Sequence, residues 1–385
     1  MSLTEQIDVE VVVVGGGVMG ASSAWSLARR RVSVALIERY EPGHRHGASH
    51  GATRNFNPAY AEPHYLELLN RAHTLWRELE DDSGDVLLDE IGFIDRGSRP
   101  AAPGNDDDRA GTFDFEELPA AVAQERWPLL RFDDAVRFFP RGGRLYADRT
   151  VNALHRQTAA HGGIVRHGLR VTDVTPRADH EVSVSALGAE GEAVSIKARR
   201  VIVAAGAWTQ KLLGAHLPLP PLVVTQEQPA HFSVRPEFAA AAELLPSFNH
   251  RSAAIGGEWW PSGIYGMHTP GEGIKVGWHG VGPVTDPDQR SFTADPDQLE
   301  QLREYVRQWV PGADAETAVD ISCTYTTTPD SGFVLDRSGP IVVGAGFSGH
   351  GFKFAPAVGE VLANLALGRA HAAPHFSLAR AGIFR

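Results

Sequence analysis

Three kinds of residue in this chain have the chemistry for a reactive site. Cys323 is the sole cysteine, and it opens the run Cys323-Thr324-Tyr325-Thr326-Thr327-Thr328-Pro329-Asp330. With no second cysteine to pair with, its thiol is either a small buried apolar group or a nucleophile. Lysine is scarce: of 36 basic residues only Lys197, Lys211, Lys275 and Lys353 are lysines. Lys275 and Lys353 lie in glycine-rich, otherwise apolar runs, where a charge is costly to bury and a compact ammonium is the more tunable cation. The third kind is a glycine pattern near the start, Gly15-Gly16-Gly17-Val18-Met19-Gly20. A solitary thiol in a chain that begins with a dinucleotide-binding pattern points to a nucleophile joined covalently to a flavin.

The glycines have the elements they need. Val9 to Val14 is an apolar β-branched run, Met19, Ala21, Ala24, Leu27 and Ala28 recur at the spacing of one helix face, and Val32 to Ile37 is a second strand ending at Glu38. This is a βαβ unit whose first turn reads G-x-G-x-x-G, with Gly15 and Gly17 at the phosphate turn and Gly20 packing helix on strand. The helix N-terminus offers its dipole and free N–H groups to phosphate. Glu38 falls where a carboxylate binds a ribose diol, which argues against NADP.

Further along, the spacing of Leu66, Leu69, Ala72, Leu75, Trp76 and Leu79 predicts a helix, and Thr150 to Ala160 another. Arg96 to Ala120, rich in Pro, Gly and Asp, reads as a long surface excursion. Val182–Val184 and Val194–Ile196 alternate like strands of a small antiparallel unit, and Arg200 to Trp208 reads as a separate buried strand returning to the nucleotide-binding sheet. Residues 221 to 320 read as short antiparallel strands with one amphipathic helix from Gln298 to Trp309. Ile341 to Leu367 reads as strand, glycine-rich loop and helix. The expected fold is α+β with an α/β nucleotide-binding core. A Rossmann-like cofactor domain made of 1–85, 150–220 and 321–385 joins a mostly antiparallel β-sheet substrate domain made of 86–149 and 221–320. Nucleotide-fold strands at both ends of the chain favour a flavin over a nicotinamide.

Composition narrows the partners. The 385 residues carry a formal charge of −11 with no basic block, which argues against nucleic acid. No apolar run approaches the roughly 18 residues a membrane span needs. The polar, acidic first ten residues lack the form of a secretory signal, so the expectation is a cytoplasmic protein.

The chain resembles the monomeric sarcosine oxidase and N-methyltryptophan oxidase family of FAD-dependent amine oxidases, in the D-amino acid oxidase fold group. The resemblance is densest at Gly15 to Glu38, at Gly47-Ala48-Ser49-His50-Gly51-Ala52-Thr53-Arg54, at Gly273 to His279, and from Cys323 to Lys353, where C-x-Y-T and G-F-S-G-H-G-F-K are the most specific. It implies a thioether from Cys323 to the flavin 8α carbon. It also implies Lys275 and Arg54 beside the flavin for the oxygen step, Lys353 for the substrate carboxylate, and His279, Tyr265 and Tyr325 as pocket walls. Cofactor contacts are implied at Gly15, Gly17, Val18, Met19, Gly20, Glu38, Arg39, Ser49, His50, Thr53, Arg54, Val171, Ala205, Gly206 and Trp208. They are also implied in the late loop at Gly346, Phe347, Gly349, His350, Gly351, Phe352 and Lys353.

The implied reaction moves hydride from a secondary amine to flavin N5, with imine hydrolysis and reduction of O2 to H2O2, in a monomeric enzyme. A dehydrogenase with another electron acceptor, an enzyme like the fructosyl amino acid oxidases, and a non-catalytic flavin-binding protein are the alternatives. One departure stands out. The family's T-R-x-x-R reads Thr53-Arg54-Asn55-Phe56-Asn57 here, and neutral Asn57 cannot make an arginine's bidentate contact to a carboxylate.

Overall fold

A computed structural model of the protein describes residues 5–97, 113–251 and 259–384. The β-branched opening run forms a parallel strand, Glu5–Val14, at the centre of an eight-stranded sheet. It pairs with Val34–Ile37 on one side and with Ala193–Val203 on the other. The intervening helix, Val18–Ala28, is buried on every side, although the sequence suggested only one apolar face. Its small residues allow this. The C-terminal helix Ala355–Ala366 lies so close that a Cβ added at Gly359 would sit 2.4 Å from the main-chain carbon of Ser22.

The strand Ala193–Val203 corrects the sequence reading, which divided it into two elements. It is continuous over 11 residues. Its first half pairs antiparallel with Glu181–Leu187, and its last three residues pair parallel with Ile341–Ala345. The alternating first half has one solvated face, whereas Arg200 to Val203 is buried throughout. The change from alternating to continuous apolar character marks a change of cover, not an end of the strand.

A second eight-stranded sheet is antiparallel except where Ser247–His250 runs parallel to Phe93–Arg96. Ile264–Thr269 and Gly273–Trp278 form its central hairpin. The helix Pro296–Trp309 covers it through Leu302, Tyr305 and Val306, capped by the Asp295 carboxylate, which accepts N–H bonds from Asp297 at 3.0 Å and Gln298 at 3.1 Å. Two smaller units lie between the sheets: Thr53–Phe56 with Gly143–Tyr146 and Leu88–Asp89, and the pair Val223–Glu227 with Cys323–Thr327.

Of the anticipated excursion from Arg96 to Ala120, residues 98–112 lie outside the described residues. The rest is partly structured. Phe113 is buried in the main core, and Glu116–Leu118 is an edge strand of the second sheet. Pro, Gly and Asp dominate the composition of the segment and hide these few structured residues. Among the described residues no helix is long and apolar enough to cross a membrane.

The contact between the first and last helices ties the two ends of the chain together, and it admits no side chain at Gly359. Gly359→Val should destabilise the protein by about 1–3 kcal/mol through overpacking. A urea unfolding midpoint equal to that of the unaltered protein would show that the helices do not meet so closely.

Candidate active site

A cavity of about 1760 Å³ runs between the sheets. At one end the Gly15-to-Gly20 turn supplies its wall. Gly15 has φ +102°, and a Cβ there would lie 2.5 Å from the carbonyl oxygen of Ala204, so only glycine serves. Gly20 faces the protein instead of the cavity, and a Cβ there would meet the Gly15 carbonyl at 1.9 Å. Glu38, at the end of the second strand, receives the Gly16 N–H on Oε2 at 2.6 Å and the Tyr40 N–H on Oε1 at 2.9 Å. Ser49 accepts the N–H of Val18, the first helical residue, at 3.0 Å. At the rim, Asp288 of the second sheet's connection accepts from Arg39 at 2.7 Å and from the Trp208 indole at 2.8 Å.

Farther in, four segments distant in sequence converge. Arg54 donates to the carbonyls of Thr53, Ala48 and His50 at 2.8, 2.9 and 2.7 Å, and its Nη2 lies 4.0 Å from the Cys323 sulfur. Cys323 is buried at the start of its strand. Lys275, from the central hairpin, donates to the same Thr53 carbonyl at 3.3 Å. Burial is the main force on this ammonium, and nearby Arg54 adds to it, so its pKa falls to about 7. His50 is also lowered, to about 4, by burial and then by Arg54, while its Nδ1 stays 2.8 Å from the Gly47 carbonyl oxygen.

Across from these groups, Lys353 donates to the Tyr60 hydroxyl at 3.0 Å and to the His350 carbonyl at 2.8 Å. Its own carbonyl is fixed by the Trp76 indole at 2.8 Å. Burial lowers Lys353 to about 7 as well. Tyr325 Oη stands 3.3 Å from His279 Nδ1. Burial, then Lys353, then Arg251 bring His279 down to about 4, so its ring is neutral at pH 7. Burial pushes the phenols of Tyr265 and Tyr325 well up. The late loop is shaped around Tyr325: a Cβ at Gly349, with φ +76°, would fall 2.1 Å from that ring.

Every residue singled out in the sequence, with Gly20 the exception, lines this cavity. Both scarce lysines that were singled out are buried, at 4% and 5% exposure. Sequence reasoning passed over Tyr60, which receives Lys353. It also missed a buried chain behind Lys275, in which Thr53 Oγ1 lies 2.7 Å from Thr269 Oγ1, which lies 3.3 Å from His231 Nε2. His231 Nδ1 is 3.1 Å from the half-exposed Glu272 carboxylate. Only the cross-strand register, His231 opposite Lys275, reveals that link.

The glycine turn, the acid at the second strand and a long cavity with a thiol and cations at its far end define a flavin-dependent oxidoreductase. The chain matches the family model for FAD dependent oxidoreductases, DAO, over residues 10–365, and it belongs to that family. Among curated relatives, monomeric sarcosine oxidase of Bacillus sp. (strain NS-129) is 31% identical, the match covering 93% of this chain and 92% of the relative. Human peroxisomal sarcosine oxidase is 30% identical with the same coverage, and N-methyl-L-tryptophan oxidase of Citrobacter koseri is 27% identical over 94% of this chain and 96% of its own length. With these relatives the chain stands among the FAD-dependent amine oxidases. A solved structure of NikD, described as an unusual amino acid oxidase essential for nikkomycin biosynthesis, superposes with TM-score 0.79 at 25% identity, covering 98% of this chain and 99% of that one.

The two depressed lysines make stability depend on pH. In the unfolded chain each titrates near the ordinary 10.5, and in the folded protein each titrates near about 7. Between those values the unfolded chain binds more protons, so stability rises with pH across that window, and the burial penalty is complete below it. Lys275→Met should remove roughly half of the stability gained between about pH 7 and pH 9. Urea unfolding at the two pH values measures this, and an undiminished gain would refute the burial of a charged Lys275.

Proposed function

We propose that this enzyme oxidises the C–N bond of a secondary amine, an N-methyl or otherwise N-substituted amino acid, and passes the electrons to O2 to give H2O2. The reading rests on one juxtaposition: a buried ammonium, Lys275, shares the Thr53 carbonyl with Arg54, and Arg54 reaches the Cys323 thiol. FAD, when bound, supplies the two-electron acceptor that takes hydride from the carbon beside the amine.

The glycine turn, Ser49 and Glu38 would hold its nucleotide half, and Cys323 would tether its ring by a thioether at the 8α carbon. Lys353 would orient the substrate carboxylate with the donor its two existing acceptors leave free. Neutral His279 can accept a hydrogen bond from the amine, whose nitrogen lone pair must be free before hydride leaves the neighbouring carbon. Lys275 and Arg54 would place positive charge where reduction of O2 develops negative charge, in a site too dry to screen it.

In the same reading the cofactor domain comprises 1–85, 150–220 and 321–385, the substrate domain 86–149 and 221–320, and the protein acts as a cytoplasmic monomer. The relatives' names support the monomer.

Two measurements test the roles. Acid precipitation should leave the yellow colour in the pellet, and Cys323→Ser should release it to the supernatant. Colour that leaves the unaltered protein entirely would end the thioether reading. In stopped flow, Lys275→Met should slow flavin reoxidation by air about 100-fold or more while slowing anaerobic reduction far less. Equal slowing of both half-reactions would remove Lys275 from the oxygen step.

A further inference from the structure

Arg251 is a cation of the substrate end that the reaction as described leaves idle. It follows the strand Ser247–His250, and its backbone N–H donates to the Arg96 carbonyl at 2.9 Å, which fixes where the chain leaves the sheet. Its stem lies along Gly263, where an added Cβ would be 3.6 Å from Arg251 Cγ. The Gly263 carbonyl accepts the His279 N–H at 3.0 Å. Arg251 and His279 therefore belong to one stretch of cavity wall, and both line it.

The guanidinium is partly buried and makes no side-chain hydrogen bond or ion pair among the described residues. Of the other arginines of the same wall, Arg170 is exposed to solvent and three are satisfied. Arg39 is held by Asp288, Arg54 by three carbonyls, and Arg380 by Asp330.

Among the described residues no wall carboxylate is bonded to Arg251. Among the described residues five acids line the cavity, and each one makes its hydrogen bonds elsewhere. Glu38 takes two backbone N–H groups of its own turn, Glu62 that of Ala61, and Asp148 that of Gly51, while Asp288 and Asp330 hold Arg39 and Arg380. The neutral wall residue Asn57 is also occupied, because its Oδ1 accepts the Ala59 N–H at 2.8 Å. A partly desolvated guanidinium that lines a cavity and is bonded to none of these acids is a binding group for an anion.

We propose that Arg251 binds the carboxylate of the substrate together with Lys353, and so restricts this enzyme to N-substituted amino acids with a free acid group. The proposal rests on the amine-oxidising reading above. An arginine offers a planar pair of donors that fixes the orientation of a carboxylate, whereas Lys353 supplies a point charge on a short leash. The depression of His279 by both Lys353 and Arg251 agrees with the two cations flanking the same imidazole. A carboxylate bound there would leave the amine beside that neutral ring.

The test uses the flavin-loaded enzyme and anaerobic bleaching of the flavin by matched pairs, sarcosine with its methyl ester and N-methyl-L-tryptophan with its methyl ester. The unaltered enzyme should prefer the free acid of at least one pair. Arg251→Met should raise the half-saturating concentration of that acid roughly 10- to 100-fold, leave its ester unaffected, and keep the limiting bleaching rate within a few-fold. Arg251→Lys should lose less. Propionate, which has no amine to oxidise, should perturb the flavin absorbance of the unaltered enzyme and do so more weakly in Arg251→Met. An unchanged flavin spectrum and melting temperature in the variant would exclude misfolding as the cause. Bleaching by acids and esters alike, with no effect of Arg251→Met, would overturn the assignment of Arg251 alone. No bleaching by any of the four compounds would overturn the amine-oxidising reading, and this inference with it.

Discussion

Two ammonium groups are enclosed in the wall of one cavity, and every acceptor they reach is a neutral oxygen: the Thr53 carbonyl for Lys275, the Tyr60 hydroxyl and the His350 carbonyl for Lys353. A buried cation without a carboxylate is among the most expensive arrangements in a protein, and it persists only where surrounding structure enforces it. The rest of the site follows from that constraint. Both lysines are held near neutrality in pH, their neighbours His50, His279 and His350 are kept uncharged by burial, and the phenols of Tyr265 and Tyr325 keep their protons. The cavity is thereby biased toward anions.

Enforcement comes from far apart in the chain. The hairpin Ile264–Thr269 and Gly273–Trp278 brings Lys275 in from the second sheet, and Thr53–Phe56 brings its acceptor from the small sheet between. Cys323 arrives on a strand paired with Val223–Glu227, and Lys353 on the turn before the last helix. None of these placements is local. The direct contact of the first and last helices fixes where the late loop lies relative to the opening glycine turn.

This explains what could be read from residues alone. The opening βαβ unit was legible because its signals are local: a β-branched run, glycines demanded by sterics, and an acid at a fixed distance. The scarcity of lysine also carried information, since Lys275 and Lys353 stood in apolar surroundings where a charge needs a purpose. Tyr60, His231 and Arg251 were illegible for the opposite reason. Their neighbours in sequence are ordinary, and their importance comes from a register across two strands or from a stem lying over Gly263. The strand Ala193–Val203 was misread as two because hydrophobic period reports cover, and its cover changes midway while its pairing with Glu5–Val14 continues along its whole length.

The late loop shows how function and strain are joined. Ser348 has φ 47°, a left-handed conformation uncommon for a residue with a side chain, and it lies between Gly346 and Gly349, both also at positive φ. The cost is offset locally: its N–H donates to the Thr326 carbonyl at 3.0 Å, and its hydroxyl donates to the Gly346 carbonyl at 3.1 Å. Thr326 belongs to the same strand as Cys323 and Tyr325. A loop that relaxed to ordinary dihedrals would release that bond and bring atoms toward the Tyr325 ring, which already excludes a Cβ at Gly349. The left-handed turn, the thiol's strand and the tyrosine of the cavity wall are thus joined by one hydrogen bond and one close approach.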